Sequence, residues 1–357
     1  MKSDDVLETN TLQISKKSLS KNLFLIRGIA ILLVVMGHIL GPGKNAGIGQ
    51  LYNYDIFFLS WFGHFIYTFH MPIFFIISGI AFTVFSKKDV SYLKFVQDKF
   101  KRLFVPLLCW SPVFFIVQSL SKHEPFSFLD IIKNSTISPS IIFWFFHALI
   151  FASLLSFLLF KLFKSHIIYL LLSIILLIVS LKFNNLTTYF YWHLFYALGL
   201  LLPYYLHKTH IILDKWGLGV LFAVLSSCII MMIGVNNFIA SNDLWLSKVP
   251  NGILAFVFLY IIIYKFKPKP SDKPISKLVN LVEASLVYIG KMSMIIYLTH
   301  IYFGTGTRIF LVKFIGVTNP ILHFVLGCFI ATLGPIIIYK FFQKRSKLFM
   351  YSLGESK

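Results

Sequence analysis

Long apolar stretches separated by short polar ones set the pattern of this 357-residue chain. A helix that crosses a bilayer needs about 20 mostly apolar residues. Runs of that kind lie at 23–40, 57–85, 103–120, 141–163, 167–183, 188–206, 218–235, 253–266, 286–302 and 321–342. They predict an all-α, polytopic integral membrane protein of about ten transmembrane helices. The second run is too long for one simple span and contains Pro72, which predicts a kink or an interfacial segment. The polar first 22 residues lead into an apolar run with no small-x-small cleavage site after it, which predicts an uncleaved first span. The expected organisation is a cytoplasmic tail over 1–22, a membrane domain over 23–342 and a cytoplasmic tail over 343–357. No internal repeat is visible.

Charge orients the chain. With the N-terminus in the cytoplasm, about 25 of the 33 Lys and Arg residues fall on inner segments, as the positive-inside rule requires. An even number of spans returns the C-terminus to the same side, so a plasma or inner membrane protein with both termini cytoplasmic is expected. The Pro/Lys-rich stretch from Lys265 to Pro274 reads as a cytoplasmic connection before the ninth run.

Composition agrees with a bilayer. Hydrophobic residues make up 57% of the chain and charged residues 13%, about half the usual share of a soluble domain. The net charge of +20 would suggest nucleic acid in a soluble protein. Here the cations sit between apolar runs, so anionic lipid is the expected partner and nucleic acid is not. Cys109, Cys228 and Cys328 lie in apolar runs without metal-ligand spacing and read as small buried hydrophobes. His147 and His193 have no second ligand at helical spacing and read as satisfied helix histidines. Gly41-Pro42-Gly43-Lys44-Asn45 lacks phosphate-loop spacing and reads as an outer turn.

Candidate chemistry begins with Arg27 and His38. Ionisable groups inside a span are costly and usually face a cavity or a partner. Eleven residues of helix are three turns plus roughly 20°, which puts both on one face about 16 Å apart. Arg27 would lie near the cytoplasmic mouth and His38 in the outer half. An arginine fork suits phosphate, and a histidine suits proton transfer near neutral pH. The plain alternative is an interfacial arginine and an interfacial histidine.

Four segments together resemble acyltransferase family 3, the membrane O-acyltransferases that modify cell-surface sugars. They are Arg27 and His38; Phe69-His70-Met71-Pro72 continuing to Ser78-Gly79; the basic stretch Lys99, Lys101 and Arg102 before Pro106; and Gly290-Lys291-Met292-Ser293 continuing to Tyr297 and His300. Trp144-Phe145-Phe146 is similar to the family's Trp-Phe-Leu pattern and departs from it at Phe146. The Phe-His-Met-Pro form looks most like the branch labelled fucose 4-O-acetylase-like.

The resemblance implies transfer of an acetyl or other acyl group from cytoplasmic acyl-CoA to a hydroxyl of a surface or lipid-linked glycan. It implies acetyl-CoA as donor substrate and no permanently bound cofactor or metal. Arg27, Lys99 and Arg102 would hold the CoA phosphates, with positive-inside anchoring as the plain alternative for the last two. His38 would be the general base. His70, Ser78, Tyr297 and His300 are candidates for acceptor binding, and Ser78, Tyr297 and His300 also for the oxyanion donor. His70 could also orient His38, or instead bond a carbonyl freed by Pro72; Ser78-Gly79 could serve close helix packing; and Lys291, a cation within or near a span, is a site candidate or could snorkel. A membrane carrier of a glycan or metabolite, without acyl transfer, is the competing class. A non-catalytic partner in glycan assembly is a third. Oligomeric state and the identity of the sugar stay open.

Overall fold

A computed structural model describes residues 16–41, 46–52, 57–86, 91–136, 142–163, 165–183, 186–239, 244–265 and 274–355. The expected outer turn at 42–45 and most of the Pro/Lys-rich connection, 266–273, lie outside the described residues, as do the first 15 residues of the tail.

The described chain is helical, without strands. Apart from a single turn at Gly49–Tyr52, its α-helices are α1 (Lys16–Leu40), α2 (Phe57–Phe85), α3 (Tyr92–Lys99), α4 (Val105–Lys122), α5 (Phe128–Thr136), α6 (Trp144–Leu162), α7 (His166–Lys182), α8 (His193–Ile239), α9 (Leu244–Lys265), α10 (Pro274–Lys291), α11 (Ser293–Phe310), α12 (Pro320–Phe342) and α13 (Lys347–Ser352). A π-helical turn over Phe100–Phe104 joins α3 to α4, and another over Leu311–Ile315 extends α11. Among the described residues, six helices are long and apolar enough to cross a membrane. They are Lys16–Leu40, Trp61–Phe85, Tyr92–Lys122, Trp144–Leu162, Ser293–Ile315 and Pro320–Phe342.

The surface is inverted relative to a soluble protein. On α7, Ile167, Ile168, Leu171, Ile175 and Ile178 are exposed at helical spacing, while Tyr169, Ser173 and Ser180 are buried. On α12, Ile321, Val325, Phe329 and Ile337 face outward, while His323, Gly327 and Thr332 face inward. Lipid is the solvent that makes this arrangement favourable.

Several boundaries differ from the hydropathy runs. The runs at 188–206 and 218–235 both fall largely within α8, a single helix of 47 residues. The run at 286–302 straddles a break at Met292, where α10 ends and α11 begins. Lys291 and Ser293 flank Met292, but the residues beyond them are mostly apolar, so a hydropathy window does not register the break. Pro72 lies inside α2 without ending it.

The chain divides into two compact units. The first comprises Met1–Ile77 and Leu202–Ile337, the second Ser78–Leu201 and Ile338–Lys357. In the first unit, glycines set the position of α1. A Cβ on Gly28 would collide with the Leu286 carbonyl oxygen, and one on Gly290 with that of Phe24. The two backbones therefore touch, as small residues allow between membrane helices. Lys21 and Glu283 close the same contact with an ion pair at 2.8 Å. At the other end of α1, the Ile39 side chain fits against Gly304 of α11 and Gly327 of α12.

In the second unit, Gly79 of α2 packs on the α8 backbone, where a Cβ would lie 2.6 Å from Leu200 N. Thr83 donates to Leu200 O at 2.7 Å across the same contact. Trp110 of α4 donates to Ser352 O at 3.1 Å, tying α13 to α4.

Candidate active site

The first unit gathers five polar side chains from three helices: His38 of α1, Tyr67 and His70 of α2, and Tyr297 and His300 of α11. The clasps described above place them. Gly37 precedes His38, and a Cβ there would stand 3.3 Å from Ile66 Cγ2 and 3.4 Å from Tyr67 Cε2, so α2 packs closely on α1 beside His38. Ile39 follows His38 and is held between α11 and α12.

Ring centroids of His38 and His300 are 5.1 Å apart, and those of His38 and Tyr67 are 5.9 Å apart. Tyr67 meets His70 edge-on at 5.1 Å, and Tyr297 lies 6.1 Å from His300. Tyr67 Oη is 3.5 Å from His38 Nδ1, at the outer limit of a hydrogen bond. His38 is half-buried, whereas His70 and His300 are 3% and 0% exposed. His38 is therefore the histidine of the group that a bound molecule can reach with least rearrangement.

Main-chain carbonyls fix two of the three imidazole tautomers. His70 Nδ1 lies 2.7 Å from Ile66 O. His300 Nδ1 lies 2.9 Å from Ile296 O and 2.8 Å from Tyr297 O. A carbonyl oxygen only accepts, so both Nδ1 atoms donate and, in the neutral ring, both Nε2 atoms are acceptors. This bears on two expectations. Neutral His300 has no hydrogen at Nε2 with which to stabilise an oxyanion. His70 does bond a carbonyl, but that of Ile66; Pro72 frees the carbonyl four residues before it, at Thr68. Among the described residues His300 Nε2 is buried without a hydrogen-bond partner, an arrangement that costs about 1–3 kcal/mol. No carboxylate lies within hydrogen-bond range of His38 or His300 among the described residues.

Arg27 lies on the same continuous helix as His38, three turns nearer its start. It is half-buried, with Cζ 5.8 Å from the Phe24 ring centroid. The Nζ of Lys291 lies 5.9 Å from the same ring. Among the described residues the one carboxylate in this region, Glu283, is bonded to Lys21, and Arg27 has no ion-pair partner.

Lys99, Arg102 and Ser78 belong to the second unit. Lys99 ends α3, half-buried, with Nζ 5.1 Å from the Phe95 ring. Arg102 is exposed in the π-helical turn, whose backbone is covered by the turn at Gly354: a Cβ on Gly354 would lie 2.8 Å from Arg102 Cα. Ser78 is half-buried beside the close-packed Gly79, which favours the packing alternative for that pair.

Two histidines read as satisfied differ in detail. His147 Nδ1 and Nε2 lie 3.3 and 3.0 Å from the carbonyls of Phe143 and Thr136. His193 Nε2 lies 3.1 Å from Ser156 Oγ, while its Nδ1 is buried without a partner among the described residues.

Sequence reasoning missed Tyr67. Its signal was the three-residue spacing to His70, which puts both on one helix face.

The model of a known family, described as an acyltransferase domain, matches residues 21–340. No curated protein matches the chain, and no solved structure does.

Proposed function

The chain belongs to the family defined by that domain, acyltransferase family 3, and from this premise we propose that it moves an acetyl group from cytoplasmic acetyl-CoA to a hydroxyl of a cell-surface or lipid-linked glycan. A family match at this level carries membrane acyltransferase activity. The donor, the acceptor and the residue roles are our reading.

The observation that carries it is α1. One helix bears a half-buried arginine without an anionic partner among the described residues and, three turns on, a half-buried histidine beside acceptor nitrogens. In this reading Arg27 takes phosphate oxygens of the donor through its fork of donors. The acyl arm extends along α1 toward His38. His38 removes the proton of the attacking hydroxyl, and holding both reactants on one helix face supplies much of the rate. Lys99 and Arg102 serve to attract the anionic donor to the cytoplasmic surface. Tyr67, His70 and Tyr297 surround the acceptor hydroxyl. The Lys/Arg bias of the loops supports a plasma or inner membrane location with both termini cytoplasmic.

The test is transfer of radiolabelled acetyl from acetyl-CoA to surface glycan, in membranes carrying wild type or His38→Ala at equal expression. Label from wild type that vanishes in the variant supports the reading. Equal label from both removes His38 from the mechanism. No label from either removes acetyl-CoA as donor or glycan as acceptor.

A further inference from the structure

The imidazole of His300 ends in a lone pair that nothing described occupies. Two carbonyl oxygens hold its Nδ1–H, so Nε2 is a standing acceptor, fully buried and without a partner among the described residues. A substrate hydroxyl cannot reach an atom so enclosed, but the half-buried His38 is its neighbour. The centroid separation of 5.1 Å is close to what two ring radii and one N–H···N bond of roughly 2.9 Å add up to. His38 Nδ1 is loosely held, since Tyr67 Oη stands at 3.5 Å. The two rings are tilted by 59°, so pairing them requires a rotation about the His38 Cβ–Cγ bond that brings a ring N–H toward His300.

A catalytic histidine needs a group that fixes its tautomer and steadies the imidazolium that forms when it takes a proton. In a Ser-His-Asp triad a carboxylate does this. Among the described residues no carboxylate stands by His38. Resting on the reading of His38 as general base, we propose that His300 is the positioning residue that takes this place. Its Nε2 accepts a hydrogen bond from one N–H of His38 and leaves the other His38 nitrogen bare for the acceptor hydroxyl.

The proton balance is closed. The hydroxyl O–H bond breaks and its proton joins His38, while the oxygen bonds the thioester carbon. The C–S bond then breaks, and the proton passes from His38 to the departing sulfur. His300 gains and loses no proton. It holds the second N–H of His38 throughout, and its own tautomer is kept by the carbonyls of Ile296 and Tyr297.

Two readouts test this. In full-length protein with 15N-labelled histidine, held in lipid nanodiscs, a nitrogen–nitrogen coupling through a hydrogen bond is expected between the two rings. It should vanish in His300→Leu and in His38→Gln. Its absence across about pH 5 to 8 overturns the pairing. In acetyl transfer from acetyl-CoA, His300→Leu should lower kcat by about 10- to 100-fold with KM unchanged. His300→Gln keeps an acceptor oxygen and should recover kcat to within about threefold of wild type. Equal losses in both variants, or a loss expressed in KM, overturn the role. If wild type transfers nothing from acetyl-CoA, the proposed activity is what has failed, and the coupling still decides whether the pair forms.

Discussion

The δ1 methyl of Ile39 occupies the place that a Cβ on Gly304 would take, one residue beyond His38. At this point of the contact between α1 and α11, the end of the Ile39 side chain fills the space next to the imidazole. In Gly304→Ala, Ile39 must turn away, and the α1 backbone that carries His38 shifts with it. Displacements of this kind are costly to catalysis. The expected result is a fall in acetyl transfer of about tenfold in kcat, with KM for acetyl-CoA unchanged. Ile39→Val removes the clashing methyl, so the double variant should recover to within about threefold of wild type. Steady-state kinetics on the four proteins checks this, and an inactive double variant would break the link between this contact and His38.

Near its start α1 depends on two glycines whose neighbours cannot yield. The atoms facing Gly28 and Gly290 are the main-chain carbonyl oxygens of Leu286 and Phe24. Gly28→Val and Gly290→Val should each force α1 and α10 apart and destabilise by about 1–3 kcal/mol or more. The measurement is the thermal unfolding midpoint in detergent micelles. Gly306 of α11, where a Cβ would meet nothing within 4 Å, is the control. Gly306→Ala should leave the midpoint unchanged or raise it slightly. Equal midpoints for all three would show that the α1–α10 contact carries no stability.

Much of this was legible from spacing. Arg27 and His38 lie on one helix face because eleven residues close three turns, and α1 is one unbroken helix over both. Tyr297 and His300 announce themselves as polar groups one turn apart within an apolar run. Tyr67 carries the same three-residue spacing to His70 and was overlooked, since tyrosine is common in a chain with an aromatic share of 18%. The acceptor character of His300 could not be read at all. It follows from a side-chain rotamer that lays Nδ1 on the carbonyls three and four residues back in the same helix, and the sequence does not fix that rotamer. The break at Met292 was hidden for a different reason: hydropathy integrates over a window, and the apolar residues further out on both sides outweigh Lys291 and Ser293. Gly28 and Gly290 were the marks of the close approach, and a glycine alone says nothing about which backbone it lets in.

A pH effect is expected at the start of α5. The backbone N–H and hydroxyl of Ser127 donate to Asp130 Oδ2 at 2.8 and 2.7 Å, and Asp130 N–H donates back to Ser127 Oγ at 3.3 Å. This is a reciprocal cap of the helix start. The bonds from Ser127, backbone first, hold the Asp130 carboxyl below its ordinary pKa. A lowered folded-state pKa means that the cap's contribution is present above the unfolded value and is lost as pH falls through the folded one. Amide hydrogen exchange over Phe128–Thr136 should therefore speed up on acidification, after correction for intrinsic rates. Asp130→Asn should abolish that pH dependence. A pH dependence that persists in the variant would assign it to another group.

Arg27 and His38 should separate cleanly in kinetics, because they are assigned to different parts of one donor. His38→Ala removes the base and should lower kcat by about 10²- to 10⁴-fold with the protein still inserted in the membrane. Arg27→Ala removes charge-assisted bonds worth about 1.5–3 kcal/mol, which corresponds to a rise in KM for acetyl-CoA of about 10- to 100-fold. Arg27→Lys keeps the charge but not the fork, so it should fall between. Acetyl-pantetheine sharpens the assignment, because it carries the thioester without the nucleotide and its phosphates. Wild type and Arg27→Ala should use it equally well, although poorly, while His38→Ala should fail with it as with acetyl-CoA. If Arg27→Ala loses as much with acetyl-pantetheine as with acetyl-CoA, the guanidinium does not read phosphate. Its role would then be to hold α1, and the unfolding midpoint of the variant would fall along with its activity.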